Sequence, residues 1–99
     1  MAQLAATKVG DRIPAGRYFE QTFQVSLTGT NPADEWIVTG FDEVVTVVGY
    51  AVVGTAGLAD APAFMFNLLG TGGAASAGAL GIESVTAQVI HVTVRGKGA

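Results

Sequence analysis

The chain predicts an all-β protein, an antiparallel β-sandwich or a jelly-roll-like barrel with an extended N-terminal arm, on three observations. The stretch Trp36–Val53 carries eight valines and isoleucines in eighteen residues, and side chains that are stiff at χ1 pack best on a pleated surface. Arg17–Thr28 alternates, with Phe19, Phe23, Val25 and Leu27 on one face and Glu20, Thr22, Gln24, Ser26 and Thr28 on the other. That is the pattern of a half-buried antiparallel strand, with Gln21 as its one miss. Finally, five or six such runs follow one another at short intervals, separated by turn residues, with no amphipathic helix of useful length between them.

Taken in order, Met1–Arg17 holds Gly10, Pro14 and Gly16 without sustained periodicity. It reads as an extended arm, giving an arm over 1–16 and a single β domain over 17–99. After the alternating strand, Gly29–Asp34 is a turn, because Asn-Pro initiates turns and glycine supplies positive φ. Trp36–Thr39 and Val44–Val53 are strands joined through Gly40, Phe41 and Asp42, a link that suits either a tight turn or a bulge. Both the even row (Val44, Thr46, Val48, Tyr50, Val52) and the odd row (Val45, Val47, Gly49, Ala51, Val53) lack charge, so this strand is expected to be covered on both sides. Gly54–Pro62 is a loop and Ala63–Leu69 a further apolar strand. Thr71–Gly81 is rich in small residues, and a helix there would lose roughly 1 kcal/mol per glycine relative to alanine, so a surface loop is expected. Ile82–Arg95 closes the domain as one last strand, and Gly96–Ala99 is a tail.

Ninety-nine residues make one domain with a limited capacity to bury surface. Half the residues are hydrophobic (49%), only 13% are charged, and the mean hydropathy is +0.46. A soluble monomer normally dresses its surface with more charge, so association with copies of itself or with a larger body is expected. The absence of cysteine rules out disulfides and thiolate metal sites. The apolar stretches are too short or too rich in glycine and proline for a membrane helix, and the first residues lack an apolar core of signal-peptide length. The chain therefore reads as soluble, made in the cytoplasm and independent of membranes. Its basic residues lie at the ends, Lys8, Arg12 and Arg17 before residue 18 and Arg95 and Lys97 after residue 94, with only acids between them. Basic ends can meet the acidic body of a neighbour. Five cations without an interleaved aromatic stripe do not make a nucleic-acid footprint.

Motifs for chemistry are weak. Gly70–Ala75 fits G-x-G-x-x-A, but a dinucleotide fingerprint needs the loop to open a helix and an acid about 20 residues on, whereas Glu83 comes sooner. Asp34-Glu35 and Asp42-Glu43 flank one short strand, and Glu35 and Asp42 would be roughly 23 Å apart in extended chain, too far for paired acid–base work. They read as solvated strand ends or as partners for the basic termini. His91 is the only histidine, Ser76 half matches a nucleophile elbow, and nothing suggests a catalytic pair or a cofactor. Trp36 and Tyr50 are candidate interface anchors.

Trp36-Ile37-Val38-Thr39-Gly40-Phe41, the valine run after it, and Val92-Thr93-Val94-Arg95-Gly96 at the end resemble small structural proteins of tailed-bacteriophage virions. The likeness is one of compact β pattern over roughly residues 23–97. It implies a non-enzymatic decoration or cement protein on the outer surface of a phage head. The partners it implies are the major capsid protein and further copies of the chain in a symmetric oligomer, with a trimer as the expected form. The contact residues expected on this reading are Lys8, Arg12, Arg17, Arg95 and Lys97, then Trp36 and Tyr50. A tail, fibre or host-surface module that binds a glycan or receptor is the alternative.

Overall fold

A computed structural model of the chain describes residues 2–30, 35–55, 57, 59–70 and 73–98. Among them there are eight strands and no helix: β1 (Ala2–Gln3), β2 (Ala6–Ala15), β3 (Tyr18–Leu27), β4 (Glu35–Val38), β5 (Glu43–Thr55), β6 (Ala63–Leu68), β7 (Ala75–Glu83) and β8 (Gln88–Lys97). They form two four-stranded sheets, β1-β4-β7-β6 and β2-β3-β8-β5. All pairings are antiparallel except the two-residue contact of β1 with β4. The sheets stack face to face into a body 18 Å thick on its shortest axis, as two layers about 10 Å apart require. The fold is a sandwich, and the sheets do not close into a barrel.

The core follows from the alternation in β3. Phe23, Val25 and Leu27 face inward, paired with Val92, Ile90 and Gln88 of β8. They meet Ile37 of β4 and Leu80 and Ile82 of β7 from the other sheet. Gln21, the apparent miss in the pattern, also faces inward. It is buried because its amide Nε2 donates to the carbonyls of Gly10 and Thr22, at 3.1 and 3.2 Å, which offsets the cost of taking the amide out of water. Outward, the same two strands are stitched by a polar ladder: Thr22 to Thr93 at 2.8 Å, Gln24 to His91 at 3.1 Å and Glu20 to Arg95 at 2.6 Å.

Several sequence expectations are corrected. The residues read as a free arm are extended, but 6–15 form β2 and pair with β3 along most of its length, turning through Gly16 at φ 65°. Gly16 supplies the left-handed residue that a two-residue hairpin loop needs. Of the surface loop expected over 71–81, Thr71 and Gly72 lie outside the described residues and the greater part is strand. From Ala75 onward it is β7, an inner strand of its sheet, with Ala79, Leu80 and Gly81 buried. Glycine propensity is overridden there by space. Gly78, at φ 86°, lies directly against the carbonyl of Phe41, and a Cβ on Gly81 would come 2.8 Å from the nitrogen of Gly70. Only glycine allows these backbones so close. The single strand expected over 82–95 is two. Ile82 and Glu83 end β7, and the chain crosses to the other sheet through a turn in which Ser84 Oγ donates to Thr86 O at 2.8 Å and Gln88 Nε2 donates to Ser84 Oγ at 3.0 Å.

The Thr39–Asp42 link is a turn that carries the chain between sheets, with Gly40 at φ 83° and Phe41 buried in the core. Thr39 Oγ1 donates to Gly78 O at 2.7 Å, and Phe41 N donates back to Thr39 Oγ1 at 3.2 Å. Beside it sits Asn67, left-handed at φ 60°, a conformation that asparagine tolerates better than most residues. Its amide exchanges two hydrogen bonds with the backbone of Val44, 2.8 Å to the N–H and 3.0 Å to the carbonyl, and its Oδ1 also accepts from Gly78 N at 3.0 Å. One side chain thus joins β5, β6 and β7 across the two sheets.

Two predictions follow from these contacts. Asn67→Ala removes all three bonds and is expected to cost about 2–4 kcal/mol in denaturant unfolding; a loss under about 1 kcal/mol would contradict the clasp. Gly78→Ala should cost more than about 3 kcal/mol through backbone clash and strain, whereas Gly49→Ala, in open space on β5, should be neutral or stabilising by up to about 1 kcal/mol.

Candidate interaction surface

The two lateral sides of the sandwich differ. On one, the chain itself crosses from β1 to β2. Leu4 donates to Trp36 O at 2.8 Å, and Leu4 and Ala6 pack on the core, so that side is sealed. On the other, β5 and β6 are the outer strands of their sheets, and the inward-facing side chains there stay in reach of water. Tyr50 and Val52 pair with Val92 and Ile90 of the core row, yet they are 41% and 45% exposed. Phe66 of β6 is 40% exposed. Tyr50 and Phe64 close part of the gap with a tilted ring contact, centroids 5.7 Å apart. The expectation that β5 is covered on both sides is therefore not met among the described residues.

The bulges in β5 accentuate this. Its register with β8 shifts between Val44 and Thr46, between Val47 and Gly49, and between Val52 and Gly54. The unpaired residue in each case is a valine: Val45, Val48 and Val53. Val48 and Val53 are about half exposed. A bulge twists and bends its strand and re-aims a side chain, so three of them convert a regular edge into an uneven row of valines. From Val44 to Ala59 the sequence has no charged residue. The opposite outer strand, β2, carries Lys8, Asp11, Arg12 and Pro14 within its span, the devices that keep a sheet edge from pairing.

The expected contact residues do not gather at one place. Arg12 lies over the ring of Phe41 at 4.4 Å and its Nη1 reaches Gly98 O at 3.4 Å, so it fastens β2 to the turn between the sheets and to the tail. Arg95 is paired with Glu20 and Lys97 with Glu43, the latter at 3.3 Å. These pairs span neighbouring strands of one sheet and are partly or well exposed, a setting in which an ion pair contributes at most about 1 kcal/mol. Lys8 and Arg17 are exposed and make no ion pair with a described residue. Trp36 is half-buried on the other sheet, opposite Gly81. Of the seven, Tyr50 alone belongs to the open flank. Sequence reading missed Val48, Val52, Val53 and Phe66, because a two-sided apolar strand looks the same whether the chain or a neighbour covers it.

The motifs considered for chemistry are dispersed by the fold. Gly70 is buried, Thr71 and Gly72 lie outside the described residues, and the segment continues into a strand where a dinucleotide site would need a helix. His91 is on the outer face of one sheet, bonded to Gln24, and Ser76 is on β7 of the other. Asp34 lies outside the described residues. Glu35, expected as a solvated strand end, is fully buried, and its carboxylate accepts a hydrogen bond from Thr28 Oγ1. Among the described residues there is no group of three metal-ligating side chains. A cleft of about 460 Å³ is lined by Leu27, Gly54, Thr55, Ala87, Gln88 and Val89, none of them titratable. No helix among the described residues is long and apolar enough to cross a membrane.

Comparison with family models, curated proteins and solved structures finds no match. The class defined by the geometry is that of a small β-sandwich with one apolar flank left open.

Proposed function

We propose that this chain is a non-enzymatic structural protein that acts by packing, as a symmetric oligomer, onto a larger protein shell. The shell in this reading is the outer surface of a tailed-phage head, where it serves as a decoration or cement protein bound to the major capsid protein. One observation carries the packing role. Of the ten large apolar side chains among the described residues that keep more than a third of their surface exposed, five (Val48, Tyr50, Val52, Val53 and Phe66) lie on β5 and β6, in a chain with only 13 charged residues. Scattered exposed hydrophobics are ordinary, but a concentration on one flank of so small a body marks an interaction surface. The choice of a phage head rests on the resemblance in sequence style.

Attachment to a shell does not demand a strong contact per copy. An oligomer that engages several capsid subunits at once multiplies a modest affinity, because each later contact forms at high effective concentration. Lys8 and Arg17, exposed and without a described ion-pair partner, are the cations left available for an acidic shell surface.

Co-sedimentation with purified heads of a phage that encodes the chain tests this reading. Wild-type protein is expected to pellet with the heads and to saturate. The pair Lys8→Glu and Arg17→Glu is expected to weaken binding at least tenfold with an unchanged melting temperature. Protein that stays in the supernatant at every concentration would overturn the proposal.

A further inference from the structure

We infer that the open flank formed by β5 and the Phe66 end of β6 is the contact between copies of this chain. Val48, Tyr50, Val52 and Val53 form its centre, and the basic residues lie outside it. The inference rests on the oligomeric reading above and assigns its surface.

A second copy is the occupant that fits. The exposed parts of these four side chains and Phe66 amount to on the order of 400 Å² of apolar surface per copy, the size of the largest patch on a typical monomer. A stable pairing buries about 800 Å² on each partner. The flank side chains supply about half, and the uncharged part of the β5 edge, Val44–Thr55, up to about 36 Å long, offers the remainder. Charge argues the same way. With no acid or base between Val44 and Ala59, like flanks meet without repulsion, and a charged partner surface would find nothing there to pair with.

The geometry also favours a closed contact over an open-ended one. Head-to-tail growth by extending this sheet would require β5 of one copy to add to β2 of the next, and β2 is blocked by Pro14 and by the charges of Lys8, Asp11 and Arg12. The three bulges in β5 interrupt even spacing of its free N–H and C=O groups, so a long in-register ladder with another strand is disfavoured. The bulges leave Val48 and Val53 unpaired and about half exposed on the same strand as Tyr50 and Val52, apolar surface that the same set on a neighbour can cover.

The test is the solution mass of the full chain by light scattering, with Val48→Glu/Val53→Glu as the variant and Val85→Glu as control. Val85 is 63% exposed in the turn between β7 and β8, outside β5 and β6 and with its carbonyl beside Gly29. Wild type and control are expected at a fixed multiple of 10.0 kDa, and the double variant at 10.0 kDa with an unchanged β-sheet circular dichroism spectrum. Should the double variant fail to fold, Val48→Arg alone reads the same surface. A β5 variant that folds and keeps the wild-type mass would overturn the assignment, as would a wild type that is monomeric at all concentrations. Co-sedimentation with phage heads separates the two claims. Loss of oligomers in the β5 variant with no shell binding by wild type sinks the shell and keeps the flank. Shell binding with β5 variants still oligomeric does the reverse.

Discussion

The sandwich depends on one crowded place, where the chain leaves the first sheet at Thr39, buries Phe41 and enters the second at Glu43. Three constraints meet there. Gly78 must lack a side chain to lie against the Phe41 carbonyl. Thr39 must bond that glycine's carbonyl, and Asn67 must bridge Val44 and Gly78. The bonds are short range, but their partners come from β4, β5, β6 and β7, so this node fixes how the two sheets face each other. Arg12 over Phe41 ties the hairpin of β2 and β3 to the same node. With the sheets held here, the valines and isoleucines of β3, β8, β4 and β7 can fill the layer between them.

Holding the sheets together at that node leaves the rest of the β5–β6 side without a seal of its own. The crossover through Leu4 closes the opposite side, so the molecule has one finished flank and one unfinished flank. Residues that would be core in a closed sandwich, Tyr50, Val52 and Phe66, are left partly wet. Covering them is favourable at about 25 cal/mol per Å² of apolar surface, and no other segment among the described residues covers them. This links the low charge content to the architecture: the surface left uncovered in the monomer is the one that the proposed association between copies would bury.

Much of this was legible in residue order. Alternation gave β3 and its inward face because Phe23, Val25 and Leu27 recur at the period of a strand, and the valine-rich runs gave β4 and β5. What could not be read was anything set by contacts between distant segments. Gly78 and Gly81 look like loop residues, since the carbonyl and the backbone that they accommodate come from residues 41 and 70. The break at Ser84 is invisible because a buried Ser–Gln bridge replaces the usual Gly or Pro signal. Glu35 looks solvated by its type, while the fold places it in the interior next to Thr28. The exposure of β5 was hidden for a related reason, as periodicity reports that a face is apolar and is silent on what covers it.

Amide hydrogen exchange as a function of protein concentration tests the unfinished flank most directly, because it reads the free edge of β5 residue by residue. Protection over residues 45–55 is expected to rise with concentration while protection over β2, the charged outer strand of the same sheet, stays constant. Protection of β5 that is independent of concentration, or that rises equally along β2, would contradict it.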